Sequence, residues 1–191
     1  MAGTDFTNQF LIAMPGMVDE NFAGSVVYLC EHNDKGALGL VINKPIDITL
    51  ANLFEKVELP LAREELARQP VFFGGPVQTE RGFVLHEGPG AGGEGGYSST
   101  LAIPGGLAMT TSKDVLEAVS DGAGPKKMLV TLGCSGWSAG QLEDEIGRNG
   151  WLTVPADPAI IFDTPVEQRY GRALGLLGVD PRMLSGEAGH A

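Results

Sequence analysis

Apolar residues in this chain come in short runs, and glycine, proline or an Asn-Asp pair soon cuts each run off. Phe10-Leu11-Ile12-Ala13 stops at Pro15-Gly16. Ser25-Val26-Val27-Tyr28-Leu29-Cys30 ends at Asn33-Asp34-Lys35-Gly36, and Ala37-Leu38-Gly39-Leu40-Val41-Ile42 then resumes the pattern. Runs of this length, rich in β-branched and aromatic residues, predict buried strands. The second and third predict a hairpin with a four-residue connection. The 28 glycines among 191 residues, about twice the usual share, supply the turns and kinks such a chain needs. Gly39 inside a strand predicts a bulge or a close backbone approach.

Further strands are expected at Val71-Phe72-Phe73, Gly82–His86, Leu107–Thr110, Met128–Leu132 and Trp151–Val154. The period changes at Leu50, Leu53, Phe54 and Val57, whose i, i+3, i+4, i+7 spacing marks one face of a helix. Ser112 predicts the cap of a second helix and Ser138 with Gln141 the capping box of a third. Asn149-Gly150 stops the third. Thr164-Pro165-Val166-Glu167 predicts a fourth, with Val166, Tyr170, Ala173, Leu174 and Leu177 as its buried stripe and Gly178 as its end. The glycine-rich stretch Gly88–Ser99 reads as a loop. About eight strands and four helices, with hairpins early and helices late, give a mixed α+β fold in a single domain over residues 1–191.

Charge narrows the functional classes. Twenty-four acidic against thirteen basic side chains leave a net charge of −11, with Lys126-Lys127 the nearest approach to a basic cluster. Direct nucleic-acid binding, which rests on clustered Lys and Arg, is not expected. Neither is membrane association, since no apolar run approaches the ~20 residues of a spanning helix. The polar start Met1–Asn8 has no signal-peptide pattern, and two cysteines are too few for a disulfide framework. A cytoplasmic protein with reduced thiols is the expectation.

Three catalytic motifs are lacking: the sequence has no Walker lysine loop, His-Glu-x-x-His helix or Cys-x-x-Cys pair. Gly133-Cys134-Ser135-Gly136 reads as a turn between a buried strand and a helix, where a helix N-terminus would lower a thiol pKa. Cys30 and His32 share a strand face by alternation, with His86 as a distant third donor. That set is too thin for zinc, so no metal and no cofactor are expected. Trp137 and Trp151 read first as core. Glu143, Asp144 and Glu145 read as a solvated helix face. Lys44 and Arg81 are the candidate anion contacts.

The motifs also carry a resemblance. Phe10–Pro15, Val26–Asn33, Gly39–Pro45, Gly74-Gly75-Pro76, Arg81–His86, Thr110–Leu116 and Gly140–Glu143 resemble, in order and over nearly the whole chain, the bacterial YqgE/AlgH family. Trp137, Glu145-Ile146, Asn149, Trp151-Leu152 and the terminal Gly189-His190-Ala191 extend the likeness. The resemblance implies a cytoplasmic protein built of bifurcated, coiled β-sheets flanked by helices. It implies no enzymatic activity, cofactor or catalytic set. Some members are named as transcriptional regulators after a link to alginate regulation in one branch. The sequence departs from the family at Cys134, where an aromatic residue or histidine is frequent.

Three functional readings follow in order. The first is a non-enzymatic regulatory protein acting through an unidentified protein partner, in an oligomeric state left open. The second is a small-molecule binder or enzyme with a polar pocket formed by Asn43, Lys44, Arg81, His86 and Trp137 near the Gly133–Trp137 turn. The third is thiol redox sensing through Cys30 or Cys134.

Overall fold

The computed structural model describes residues 5–16, 20, 22–87 and 97–178. Within them lie strands β1 (Gln9–Ala13), β2 (Val26–Asn33), β3 (Gly36–Val41), β4 (Pro45–Thr49), β5 (Pro70–Phe73) and β6 (Val77–Glu87). They are followed by β7 (Thr100–Ile103), β8 (Leu107–Thr110), β9 (Met128–Ser138) and β10 (Trp151–Pro155). Helices α1 (Leu50–Lys56), α2 (Asp114–Ser120), α3 (Gln141–Gly147), α4 (Pro158–Phe162) and α5 (Arg169–Gly175) flank the sheet. Its order is β10-β1-β2-β3-β9-β6-β8-β7, and β5 joins β9 in parallel as a side branch that also carries β4. The α+β expectation holds.

Phe10–Ala13 of β1 and Val26–Cys30 of β2 run apolar without interruption because both of their faces are covered. In β2, Val26, Tyr28 and Cys30 enter the core that α4 and α5 close. Val27 and Leu29 enter a second core beside Trp137, Trp151 and Leu142 of α3. A third core lies beneath α1 and α2, around Leu50, Phe54, Val84, Val115, Val119 and Val130. α1 begins with a reciprocal cap in which the Thr49 side chain accepts from Asn52 N–H and the Asn52 side chain accepts from Thr49 N–H. Asn149 stops α3 as expected, in a left-handed conformation at φ 61°.

Strand β9 departs most from expectation. The Gly133-Cys134-Ser135-Gly136 segment is strand, not a turn. The first half of β9 pairs with β5 and β6, whereas Ser135–Ser138 pairs with Gly39–Gly36 of β3. One strand thus serves two sheets, and the change of partner falls at Gly133, whose φ of 81° is open to glycine. Opposite it, Gly74 lies where three strands meet. Gly74 N–H donates to Leu132 O at 2.9 Å, and Gly74 O accepts from Val41 N–H at 2.9 Å and Ser135 Oγ at 3.0 Å.

Smaller differences have local causes. The β2–β3 connection is only Asp34-Lys35, because pairing extends to Asn33 and Gly36. A bulge between Leu29 and Glu31 faces Gly39, where a Cβ would meet Val27 Cγ1 at 2.6 Å. The bulge reverses the alternation beyond it. Cys30 therefore stays in the first core, while His32 packs on Phe6 and approaches Glu143 of α3, so the two do not share a face. Ser112 Oγ donates to Asp114 and leaves α2 without a side-chain cap. Thr164 Oγ1 donates to Ala159 O, so no capping box forms there. Of the predicted glycine-rich loop, residues 88–96 lie outside the described residues, as does the terminal tripeptide.

Candidate functional site

The residues expected to line one polar pocket are placed apart. Asn43 is a structural clamp: Oδ1 accepts from Val26 N–H at 2.9 Å and Nδ2 donates to Gly24 O at 3.0 Å, fixing the entry to β2. Lys44 follows it, half-buried, and its carbonyl accepts from Phe73 N–H at 2.8 Å. Arg81 is exposed on β6, donating to Thr111 Oγ1 at 3.2 Å and lying 5.9 Å from the Phe83 ring centre. Trp137 belongs to the α3 side of the sheet, stacked on Phe22.

His86 is buried on β6 and spent in a local network. Its Nδ1–H donates to Glu87 O across 2.7 Å, which leaves Nε2 to accept from Thr110 Oγ1 at 2.8 Å in the neutral ring. Burial lowers its pKa below the ordinary 6.5, against a smaller opposite effect of the Glu87 carbonyl. The unfolded chain therefore takes up a proton near pH 6.5 that the folded chain resists, and stability falls as pH drops through that window toward the lowered value. Urea unfolding between pH 7 and 5 is expected to show that loss, with a shallower slope in His86→Gln. Equal slopes in the two proteins would remove His86 as the cause.

Cys30 and Cys134 are brought together in the first core, both buried. Burial raises both thiol pKa values, and at Cys30 the neighbouring Cys134 adds to the rise. The Arg81 charge opposes the rise at Cys134 without overcoming it. As part of a strand, Cys134 has no helix N-terminus to activate it. Among the described residues no three His, Cys, Asp or Glu side chains gather as a metal site.

A different cation occupies the setting of a site. Arg169 opens α5 yet is only 7% exposed. Its Nε–H donates to Thr164 O at 2.9 Å, Nη1 donates to Ile42 O, and the guanidinium lies 5.0 Å from the Phe72 ring centre. No carboxylate among the described residues forms an ion pair with it; Asp163 is taken by Lys127 Nζ at 2.7 Å. Burial lowers the Arg169 pKa to about 10, so the group stays cationic at neutral pH. The Glu167 charge opposes that lowering only in part, and burying such a cation is costly. This one borders a cavity of about 270 Å³ between α4, β5 and the start of β9.

Sequence comparison places these features in a family. The model described as AlgH-like matches residues 10–182. The chain belongs to the AlgH-like family. It is 67% identical over 190 residues to the UPF0301 protein of Ralstonia nicotianae, covering 100% of this chain and 97% of the relative. It is 69% identical over 187 residues to the UPF0301 protein of a Polaromonas species, covering 98% and 96%. The solution structure of the AlgH protein from Pseudomonas aeruginosa superposes with a TM-score of 0.78 at 51% identity, over 100% of this chain and 98% of that one. A crystal structure from Corynebacterium diphtheriae, at 21% identity and TM-score 0.70 over 90% and 87% of the two chains, shares the fold.

Two residues of this AlgH-like chain carry more than their sequence context indicated. Glu145 is not merely on a solvated face. Its Oε1 accepts from both indoles, Trp137 Nε1 at 3.0 Å and Trp151 Nε1 at 2.9 Å. Arg169 falls three residues after Val166 and four before Ala173, on the apolar stripe of its helix. A cation on such a stripe was the available signal, since burying a charge needs a partner.

Proposed function

We propose that this AlgH-like chain acts without catalysis, as a regulatory protein that works by binding a protein partner. The carrying observation is a groove of about 260 Å³ between α1 and α2. Leu53 and Val57 form one wall, Val84, Val130 and Leu132 the floor, and Leu116 with Thr110–Lys113 the other wall. One wall is apolar and the other offers hydroxyls, which suits an amphipathic protein segment better than a nucleic acid. The net charge of −11 favours a basic segment. The withdrawal of His86, Cys30 and Cys134 into internal contacts supports the non-enzymatic part of the reading.

The test is in-cell crosslinking from a photoreactive residue placed at Leu53, at Leu116 or at exposed Glu31 on β2. The expected result is one shared partner captured from both groove positions, absent from Glu31 and lost when Leu53 carries the probe in a Leu116→Glu background. Equal capture at Glu31, or none at the groove, would sink the proposal.

A further inference from the structure

From the cavity at Arg169 we infer a binding site for a small apolar monocarboxylate. Arg169 has five N–H groups, and the bonds to Thr164 O and Ile42 O use two of them. The remaining three have no hydrogen-bond partner among the described residues. The Phe72 ring beneath the guanidinium and the two carbonyls fix its plane, and Arg169 lies on the cavity lining, so its unused N–H groups are held in place beside the cavity. A planar, pre-oriented fork of this kind matches the two oxygens of a carboxylate.

The walls define the rest of the ligand. Phe72, Leu129, Ile161, Phe162 and Val166 line the cavity and would cover a short aliphatic or aryl group. A volume of about 270 Å³ lies at the small end of ligand pockets. Asp163, on the same lining and neutralised only by Lys127, disfavours a phosphate dianion or a polycarboxylate. One positive edge and an apolar chamber select a single negative charge.

Titration of the full chain with sodium hexanoate and sodium benzoate, followed by amide NMR shifts, tests the inference. Saturable shifts are expected around Phe72, Ile161, Phe162 and Val166, with hexanamide and benzamide binding at least about tenfold more weakly because they lack the charge. Arg169→Lys should weaken the acids by a similar factor, since it keeps the charge and loses the fork. Val166→Trp fills the cavity and leaves the Arg169 side chain in place, and should abolish binding. Because Val166 also packs on the first core, the amide spectrum of the variant is checked for the native fold before titration. That variant keeps the test valid if Arg169→Lys fails to fold. No saturable shift up to about 10 mM acid, equal binding of the amides, or unchanged binding in Val166→Trp would each overturn the inference.

Discussion

Replacing Gly74 with alanine is expected to destabilise the fold by about 4 kcal/mol, the cost of overpacking plus one or two lost internal hydrogen bonds. A Cβ at this position would press on Gly133 O and come within 2.8 Å of Thr131 Cβ. Those neighbours belong to the paired middle of β9, so neither can swing aside as a surface side chain would. Any retreat stretches the bonds to Leu132 O, Val41 N and Ser135 Oγ that tie three strands together. The comparison is Gly171→Ala within α5, where nothing stands within 4 Å of the added carbon. That change should stabilise by about 0.5–1 kcal/mol, as alanine does in a helix. Urea midpoints of the two variants separate these outcomes. A Gly74→Ala protein that unfolds with the parent would show that the junction is not tightly packed.

Glu145→Ala should cost about 3 kcal/mol, because hydrogen bonds to a charged acceptor are worth roughly 1.5–3 kcal/mol each. Two are lost here, and the indoles that made them are almost fully buried. Glu145→Gln should fall between, at about 1–2 kcal/mol. Its amide oxygen can still face the indoles, but its NH2 would then oppose the Gln141 Nε2 that now donates to Glu145 Oε2. Gln141 is not free to turn round, since its Oε1 accepts from Ser138 N–H and Oγ. Both of the chain's tryptophans sit in this cluster, so fluorescence excited selectively at tryptophan, apart from the three tyrosines, reports on it during unfolding. A Glu145→Ala protein as stable as the parent would mean that the indoles find other acceptors.

The sequence was most legible where structure follows from neighbours along the chain. The run at Phe10, the hairpin around Asp34-Lys35 and the Leu50-Leu53-Phe54 face each depend on local period and turn chemistry, and each formed. The Gly133–Gly136 segment misled because its strand partner, Gly36–Gly39, lies roughly a hundred residues earlier and leaves no local trace. The Cys30–His32 pairing failed for a related reason: one extra residue in β2 reverses the alternation. β4 and β7 escaped notice, being short strands with only part of the apolar pattern. Site residues were harder still. Lys44, Arg81, His86 and Trp137 looked alike as polar or aromatic positions near strand ends, but the sheet assigns them to separate surfaces and cores. Arg169 was hidden by its company, a single cation among the apolar residues of its helix stripe.

The two-sheet duty of β9 also sets a timetable for folding. During synthesis, β3 emerges with one edge unpaired, and the segment that covers it, Ser135–Ser138, follows roughly a hundred residues later. At translation rates of about 5–20 residues per second, that edge stays open for roughly 5–20 s. β1 waits longer for β10, across the register from Phe10 to Val154. Pairing over such distances makes for slow closure. Lys35 beside the hairpin tip, the bulge at Leu29–Glu31 and the glycines of β3 make that waiting edge irregular and partly charged, a poor template for another chain.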